Sequence, residues 1–119
     1  MRIISGKFKT RLIKTPSNNS IRPTSDRARE MIFNTLNSLL IKDKKKITGQ
    51  AIIDCFCGTG ALGIEALSRG AEHVTFIDSS NESLNLCRKN CQELKIIQNV
   101  KIVKLAVSYT HLRAHETQF

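Results

Sequence analysis

Asp54-Cys55-Phe56-Cys57-Gly58-Thr59-Gly60-Ala61-Leu62-Gly63 is a glycine-rich turn between a short apolar run and the start of a helical pattern. Ala51, Ile52 and Ile53 make the strand before it, Gly58 and Gly60 let the backbone turn tightly beside a ligand, and Gly63 allows the helix to pack closely on a sheet. The spacing of Gly58, Gly60 and Gly63 satisfies the dinucleotide fingerprint, in which a pyrophosphate rests on a helix N-terminus. Asp54 argues against that ligand. A carboxylate at the end of the first strand repels a pyrophosphate and suits a cation. S-adenosylmethionine, with an ammonium and a sulfonium, is such a ligand.

Working outward from the turn, His73 to Ile77 reads as a second strand ending at Asp78. Asp78 lies about 20 residues beyond the glycines, where a Rossmann unit places the acid that bonds a ribose hydroxyl. The plainer alternative is a surface aspartate at a strand end. Between the two strands, Ala61 to Arg69 makes a short helix closed by Gly70. Ser79 and Glu82 read as a capping box for a further helix, whose buried seam is Leu84, Cys87, Cys91 and Leu94, and Val100 to Leu105 reads as a third strand. The expected architecture is α/β: a β-α-β-α-β half of a doubly wound sheet, strand order 3-2-1, with its ligand crevice at the carboxyl ends of the strands.

Ahead of the turn, residues 2–14 are rich in β-formers around Ser5-Gly6-Lys7 and Lys9-Thr10, which predicts a hairpin or two short strands. Residues 15–23, with Pro16 and Pro23, form a loop. A helix follows, capped by Thr24 or Ser25, with Ala28, Met31, Ile32, Thr35, Leu36, Leu39 and Leu40 as one apolar stripe. Its opposite face carries Arg27, Arg29 and Asn34, either solvated or continuing a basic surface. The expected organisation is a basic hairpin arm and loop at 1–23, the first half of a sheet domain at 24–105, and a tail at 106–119.

Charge is distributed unevenly. Residues 1–50 hold 12 Lys or Arg against Asp26, Glu30 and Asp43, whereas residues 51–119 hold seven of each sign. Up to Arg22 there are six basic residues and no acid, interspersed with Ile3, Ile4, Phe8, Leu12 and Ile13. A basic, partly apolar segment suits contacts to nucleic-acid phosphates, the bland alternative being a merely soluble surface. Lys42 to Lys46 reads as a solvated connector. No apolar run approaches the length of a membrane span and the amino terminus lacks an uninterrupted apolar signal core, so a cytoplasmic location is expected. Cys55, Cys57, Cys87 and Cys91 are then expected to be reduced, and their spacings are not those of zinc pairs. The tail brings His111 and His115, four residues apart, with no third ligand at a recognisable spacing. No metal is expected.

Arg2-Ile3-Ile4-Ser5-Gly6-Lys7-Phe8-Lys9, then Arg22-Pro23-Thr24-Ser25-Asp26-Arg27-Ala28-Arg29-Glu30 with Phe33-Asn34, and then Asp54 through Gly70 together resemble the bacterial small-subunit (16S) rRNA guanine-N2 methyltransferases. The resemblance runs from Met1 to about Leu105. It implies a class I, Rossmann-like, S-adenosylmethionine-dependent methyltransferase fold. It also implies a cofactor site at Asp54, Phe56, Gly58, Thr59 and Gly60, with Asp78 on the ribose. By the same resemblance, Arg2, Lys7, Lys9, Arg11, Lys14, Arg22 and Arg27 would grip 16S rRNA or the small ribosomal subunit. That family carries Asn or Asp followed by Pro-Pro and an aromatic residue after its fourth strand, and a polar or acidic side chain toward the adenine near the position of Ala106. This chain has neither, so no catalytic residue is assigned and an inactive amino-terminal fragment is expected. Residues 106–119 resemble translated sequencing-adapter DNA and are expected to be non-native. The alternatives are an RNA-binding or cofactor-binding module without catalysis of its own, and a nicotinamide-dependent oxidoreductase, against which Asp54 and the basic arm argue.

Overall fold

A strand, a crossover helix and a second strand close as a parallel pair, and two such units in succession build a three-stranded sheet. The computed structural model describes residues 1–16 and 25–105. Its elements are α1 (Asp26–Lys42), β1 (Ala51–Cys55), α2 (Ala61–Ser68), β2 (His73–Asp78), α3 (Asn81–Glu93) and β3 (Val100–Lys104), with a 3₁₀ turn at Ile97–Asn99. The strands lie in the order β1-β2-β3, all parallel, with Ala51 opposite His73 and Val74 opposite Val100. This is the expected half of a Rossmann-like sheet.

Alternation along the strands sets the core. Val74 and Phe76 are fully buried, and Phe76 packs so closely on α2 that a Cβ at Gly63 would stand 2.3 Å from its ring. Leu84, Cys87 and Cys91 of α3 and Leu94 at its C-cap are all buried, as their spacing predicts. On β1 the parity is informative: Asp54 is buried, whereas Ile53 is 67% exposed. Among the described residues β1 pairs only with β2, which leaves its other edge without a strand partner there.

Two local expectations are corrected. The N-cap of α3 is Ser80, whose Oγ accepts the Ser83 N–H, and not Ser79. Asp78 Oδ1 accepts the Ser80 N–H and so keeps Ser79 in the connecting turn. On α1, Ser25 caps as expected, but the stripe is rotated: Met31 and Leu39 are exposed, while Arg29 and Phe33 are buried. Leu36 and Leu40 are half-buried against the core.

The rotation of α1 follows from a buried carboxylate. Glu65 of α2 is completely buried and accepts N–H bonds from Ile4 at 2.9 Å and Ser5 at 3.1 Å. It also meets Arg29 Nη1 at 3.4 Å and Arg69 Nε at 2.9 Å. Arg29 in turn donates to the Arg2 carbonyl and to Asp26 Oδ1. Arg69 lies over the Phe33 ring, 4.6 Å from its centroid. A buried charge is tolerated only when paired and hydrogen-bonded, so the helix turns Arg29 inward to Glu65. Arg29 is therefore not part of any basic surface.

The hairpin expected at residues 2–14 is a single antiparallel bridge, Arg2 with Leu12, closed by bonds from Ile3 N–H to Arg11 O and from Ile13 N–H to Met1 O. Ile3 and Ile13 are buried, which anchors this arm in the core. Its turn docks on the end of α2: Lys7 N–H donates to Ser68 O at 2.7 Å, and Ser68 Oγ donates to Ser5 O at 2.6 Å. Gly6, at φ +89°, makes that approach sterically feasible, since a Cβ there would lie 2.0 Å from the Ser68 carbonyl oxygen.

Candidate functional site

At the carboxyl ends of β1 and β2, two acidic residues and the glycine turn come together through backbone hydrogen bonds. Asp54 Oδ2 accepts the Gly63 N–H of the first turn of α2 at 3.0 Å. Asp78 Oδ2 accepts the Gly58 N–H at 3.1 Å. Each acid thus holds one end of the turn. Cys57 N–H donates to Ile77 O, and Gly60 N–H donates back to Cys57 O. Phe56, Gly58 and Gly60 all have positive φ, and Gly60 is the N-cap of α2. Glycine adopts that backbone without strain, whereas Phe56 does so at some cost in conformational energy.

Asp54 is 8% exposed, and burial pushes its carboxyl up to about 6 from 3.8. The Gly63 hydrogen bond opposes that rise, and the Asp78 charge adds to it. The carboxylate at the head of the turn is therefore held against a desolvation cost that a cationic ligand would offset. Thr59 is buried, with its carbonyl accepting from Asn90 Nδ2 at 3.0 Å.

Behind the turn lie three buried thiols. Hydrogen bonding with Cys57 and then with Cys91, together with burial, pushes the Cys87 thiol up. A Cβ at Gly60 would meet Cys87 Sγ at 2.7 Å, so the glycine also lets the turn sit on α3. These cysteines are free, and among the described residues no group of His, Cys, Asp and Glu is arranged to hold a metal ion.

Of the basic residues singled out, Arg2, Lys7, Lys9, Arg11, Lys14 and Arg27 are exposed, and Arg22 and the tail at 106–119 lie outside the described residues. Lys14 Nζ pairs with Glu93 at 2.8 Å and Arg2 donates to Thr10 O, so these two are partly engaged within the fold. Lys7 sits 5.5 Å from the Phe8 ring centroid. Sequence reasoning missed Glu65 and Asn90. Asn90 falls three residues after Cys87 on the seam of α3, so its periodicity marked it as inward-facing; Glu65 carried no such signal.

Among the described residues, grooves lie on either side of the sheet. One of about 150 Å³ runs between α1 and the open side of β1, lined by Ile32, Phe33, Leu36, Ile53 and Asp54 among others. Another, about 360 Å³, lies between Thr15 and Pro16 and the outer face of α3 at Glu82, Leu86 and Lys89. Among the described residues, no helix is long and apolar enough to cross a membrane.

Over residues 1–119 the sequence matches one family along its whole length. The chain belongs to the family described as Conserved hypothetical protein 95. Relatives of this Conserved hypothetical protein 95 chain include Ribosomal RNA small subunit methyltransferase D of Escherichia coli K12, 38% identical over 80% of the chain and 44% of the relative. The protein of the same name from Buchnera aphidicola (Acyrthosiphon pisum) is 37% identical over 86% of the chain and 49% of its own length. Among solved structures, Escherichia coli yhhF, described as a candidate methyltransferase, is 35% identical with a TM-score of 0.73, covering 92% of this chain and 55% of that one. The chain thus spans about half the length of the curated relatives it matches. The sequence resemblance to small-subunit rRNA methyltransferases and the methyltransferase half-sheet both hold.

Proposed function

We propose that this chain carries the cofactor-binding half of an S-adenosylmethionine-dependent methyltransferase that modifies the N2 amino group of a guanine in 16S rRNA, in the cytoplasm. The observation that carries the reading is the buried Asp54 carboxylate, held at the head of a positive-φ glycine turn at the carboxyl end of β1. The donor set fits the cofactor: a carboxylate for a cation, a glycine backbone that allows close approach, and a second acid, Asp78, for a ribose. Bound S-adenosylmethionine supplies an electrophilic methyl group.

In this reading Asp54 holds the cationic end of the cofactor, Phe56, Gly58, Thr59 and Gly60 shape its cradle, and Asp78 takes the ribose while keeping the Gly58 N–H. Arg2, Lys7, Lys9, Arg11, Lys14, Arg22 and Arg27 contact phosphates of the RNA or of the small ribosomal subunit. Methyl transfer is then chiefly a matter of positioning, with the guanine exposed from its stack to reach the donor. None of the described residues is assigned a catalytic role, and none is assigned to a metal.

Calorimetry with S-adenosylmethionine and with NAD tests the reading. Binding of S-adenosylmethionine alone is expected, and binding of NAD alone would sink it. Mapping of any tritiated methyl group transferred to 16S rRNA then tests the guanine assignment, because a product other than N2-methylguanine would refute it.

A further inference from the structure

Asn90 is 2% exposed, and none of the roles assigned above uses it. Its amide is committed to two segments far apart in sequence. Oδ1 accepts the Lys14 N–H at 2.7 Å, and Nδ2 donates to the Lys14 carbonyl at 3.1 Å and to the Thr59 carbonyl at 3.0 Å. The acceptor faces an N–H and the donors face two carbonyls, so the opposite amide orientation would oppose like to like at every contact.

Both partners are places where backbone shape matters. Thr59 stands between Gly58 and Gly60, each at positive φ, and a segment with two such glycines has little preference of its own for one conformation. Its shape depends on anchors, and the Thr59 carbonyl, bonded to Asn90 Nδ2, is one that faces α3. Lys14 closes the basic arm after the Arg2–Leu12 bridge, and its side chain pairs with Glu93 on α3. A shift of the arm at Lys14 would strip a buried amide of two partners, which is costly unless the amide and the Thr59 carbonyl rearrange with it.

We infer that Asn90 is a positioning residue that links the basic arm to the cofactor turn, so that occupancy of the arm by RNA changes affinity at the turn, and the reverse. The inference rests on the reading of the site given above. Because such coupling is reciprocal, either ligand can report on it.

The test is calorimetric titration of this chain with S-adenosylhomocysteine, alone and in the presence of a saturating 16S rRNA transcript. In the wild type the two affinities should differ by about fivefold or more, the lower range of measured couplings. In Asn90→Ala, and in Asn90→Asp, which keeps the acceptor for Lys14 but sets a carboxylate against two carbonyls, the ratio should fall toward one while each ligand still binds singly. A residue of merely structural importance would weaken both affinities and leave the ratio intact, and that result overturns the inference. Amide hydrogen exchange of the wild type needs no variant to fold: S-adenosylhomocysteine should slow exchange at the Lys14 N–H, and an unchanged rate overturns the inference as well. Independent binding of the two ligands to the wild type would defeat the coupling and leave the site reading standing. Failure to bind S-adenosylhomocysteine at all would refute the site reading and the inference with it.

Discussion

Replacing Asp54 with asparagine isolates the charge that distinguishes this turn from an ordinary nucleotide loop. The substitution keeps the shape and an oxygen to accept the Gly63 N–H at 3.0 Å. The wild-type carboxyl titrates at about 6 in the fold against an ordinary 3.8, with burial as the largest cause. At about 1.4 kcal/mol per unit, that difference corresponds to about 3 kcal/mol of native stability. The direction follows from proton counting. Between pH 4 and 6 the native state binds more protons than the unfolded chain, so wild-type stability falls as pH rises through that window and stays low above it. The asparagine side chain has no such titration. Asp54→Asn should therefore be more stable than the wild type at pH 7.5 by up to about 3 kcal/mol, less whatever its amide N–H groups lose by being buried. The gap should close as pH approaches 4. Urea unfolding at pH 7.5, 6.0 and 4.5 measures it, and the same variant should bind S-adenosylmethionine at least about tenfold more weakly. A stability gap that does not change with pH, or a variant less stable at pH 7.5, would show that the carboxylate is satisfied within the fold and is not held ready for a cation.

The remaining expectations concern the arm, the helix contact and the buried ion cluster. Replacing Lys7, Lys9 and Arg11 together with Ala should weaken RNA binding and flatten its logarithmic salt dependence by about two to three units, read by filter binding across salt concentrations; an unchanged slope would remove the arm from the phosphate interface. Gly63→Ala should cost about 1–3 kcal/mol in urea unfolding, because its Cβ would stand 2.3 Å from the Phe76 ring. A neutral result would mean that α2 moves off the sheet without penalty. Glu65→Gln should cost about 3–5 kcal/mol and open the arm to trypsin at Lys7 and Lys9, since Arg29 and Arg69 lose their shared carboxylate. Unchanged protease resistance would refute Glu65 as the anchor of the arm.

The order of elements was legible because each signal is local. The β-branched run before Asp54, the glycines with their freedom at positive φ, and the three-and-four spacing of Leu84, Cys87, Cys91 and Leu94 act within a few residues of chain. The two acids at the strand ends were legible for the same reason, since strand, turn, helix and strand fix where Asp54 and Asp78 must emerge. The orientation of α1 was not. Its apolar spacing favoured a face through Met31 and Leu39, yet the burial of Arg29 and Phe33 answers to Glu65 and Arg69, which the helix does not contain. The spacing to Glu82 favoured Ser79 as the cap of α3, yet Asp78 Oδ1 accepts the Ser80 N–H and the cap is Ser80.

What the sequence by itself determined is the β-α-β-α-β plan, the glycine turn and the sign of the charge beside it, because periodicity, backbone freedom and Coulomb repulsion need no distant partner. Only the tertiary structure decided which polar groups are buried and what they hold. Glu65 accepts the Ile4 N–H across 61 residues of chain, and Asn90 holds Lys14 across 76. Such pairings exist only once the sheet and helices have brought their partners together, and in a desolvated interior each must then be satisfied. That requirement, which no local pattern expresses, fastens the basic arm to the core and to the turn that begins at Asp54.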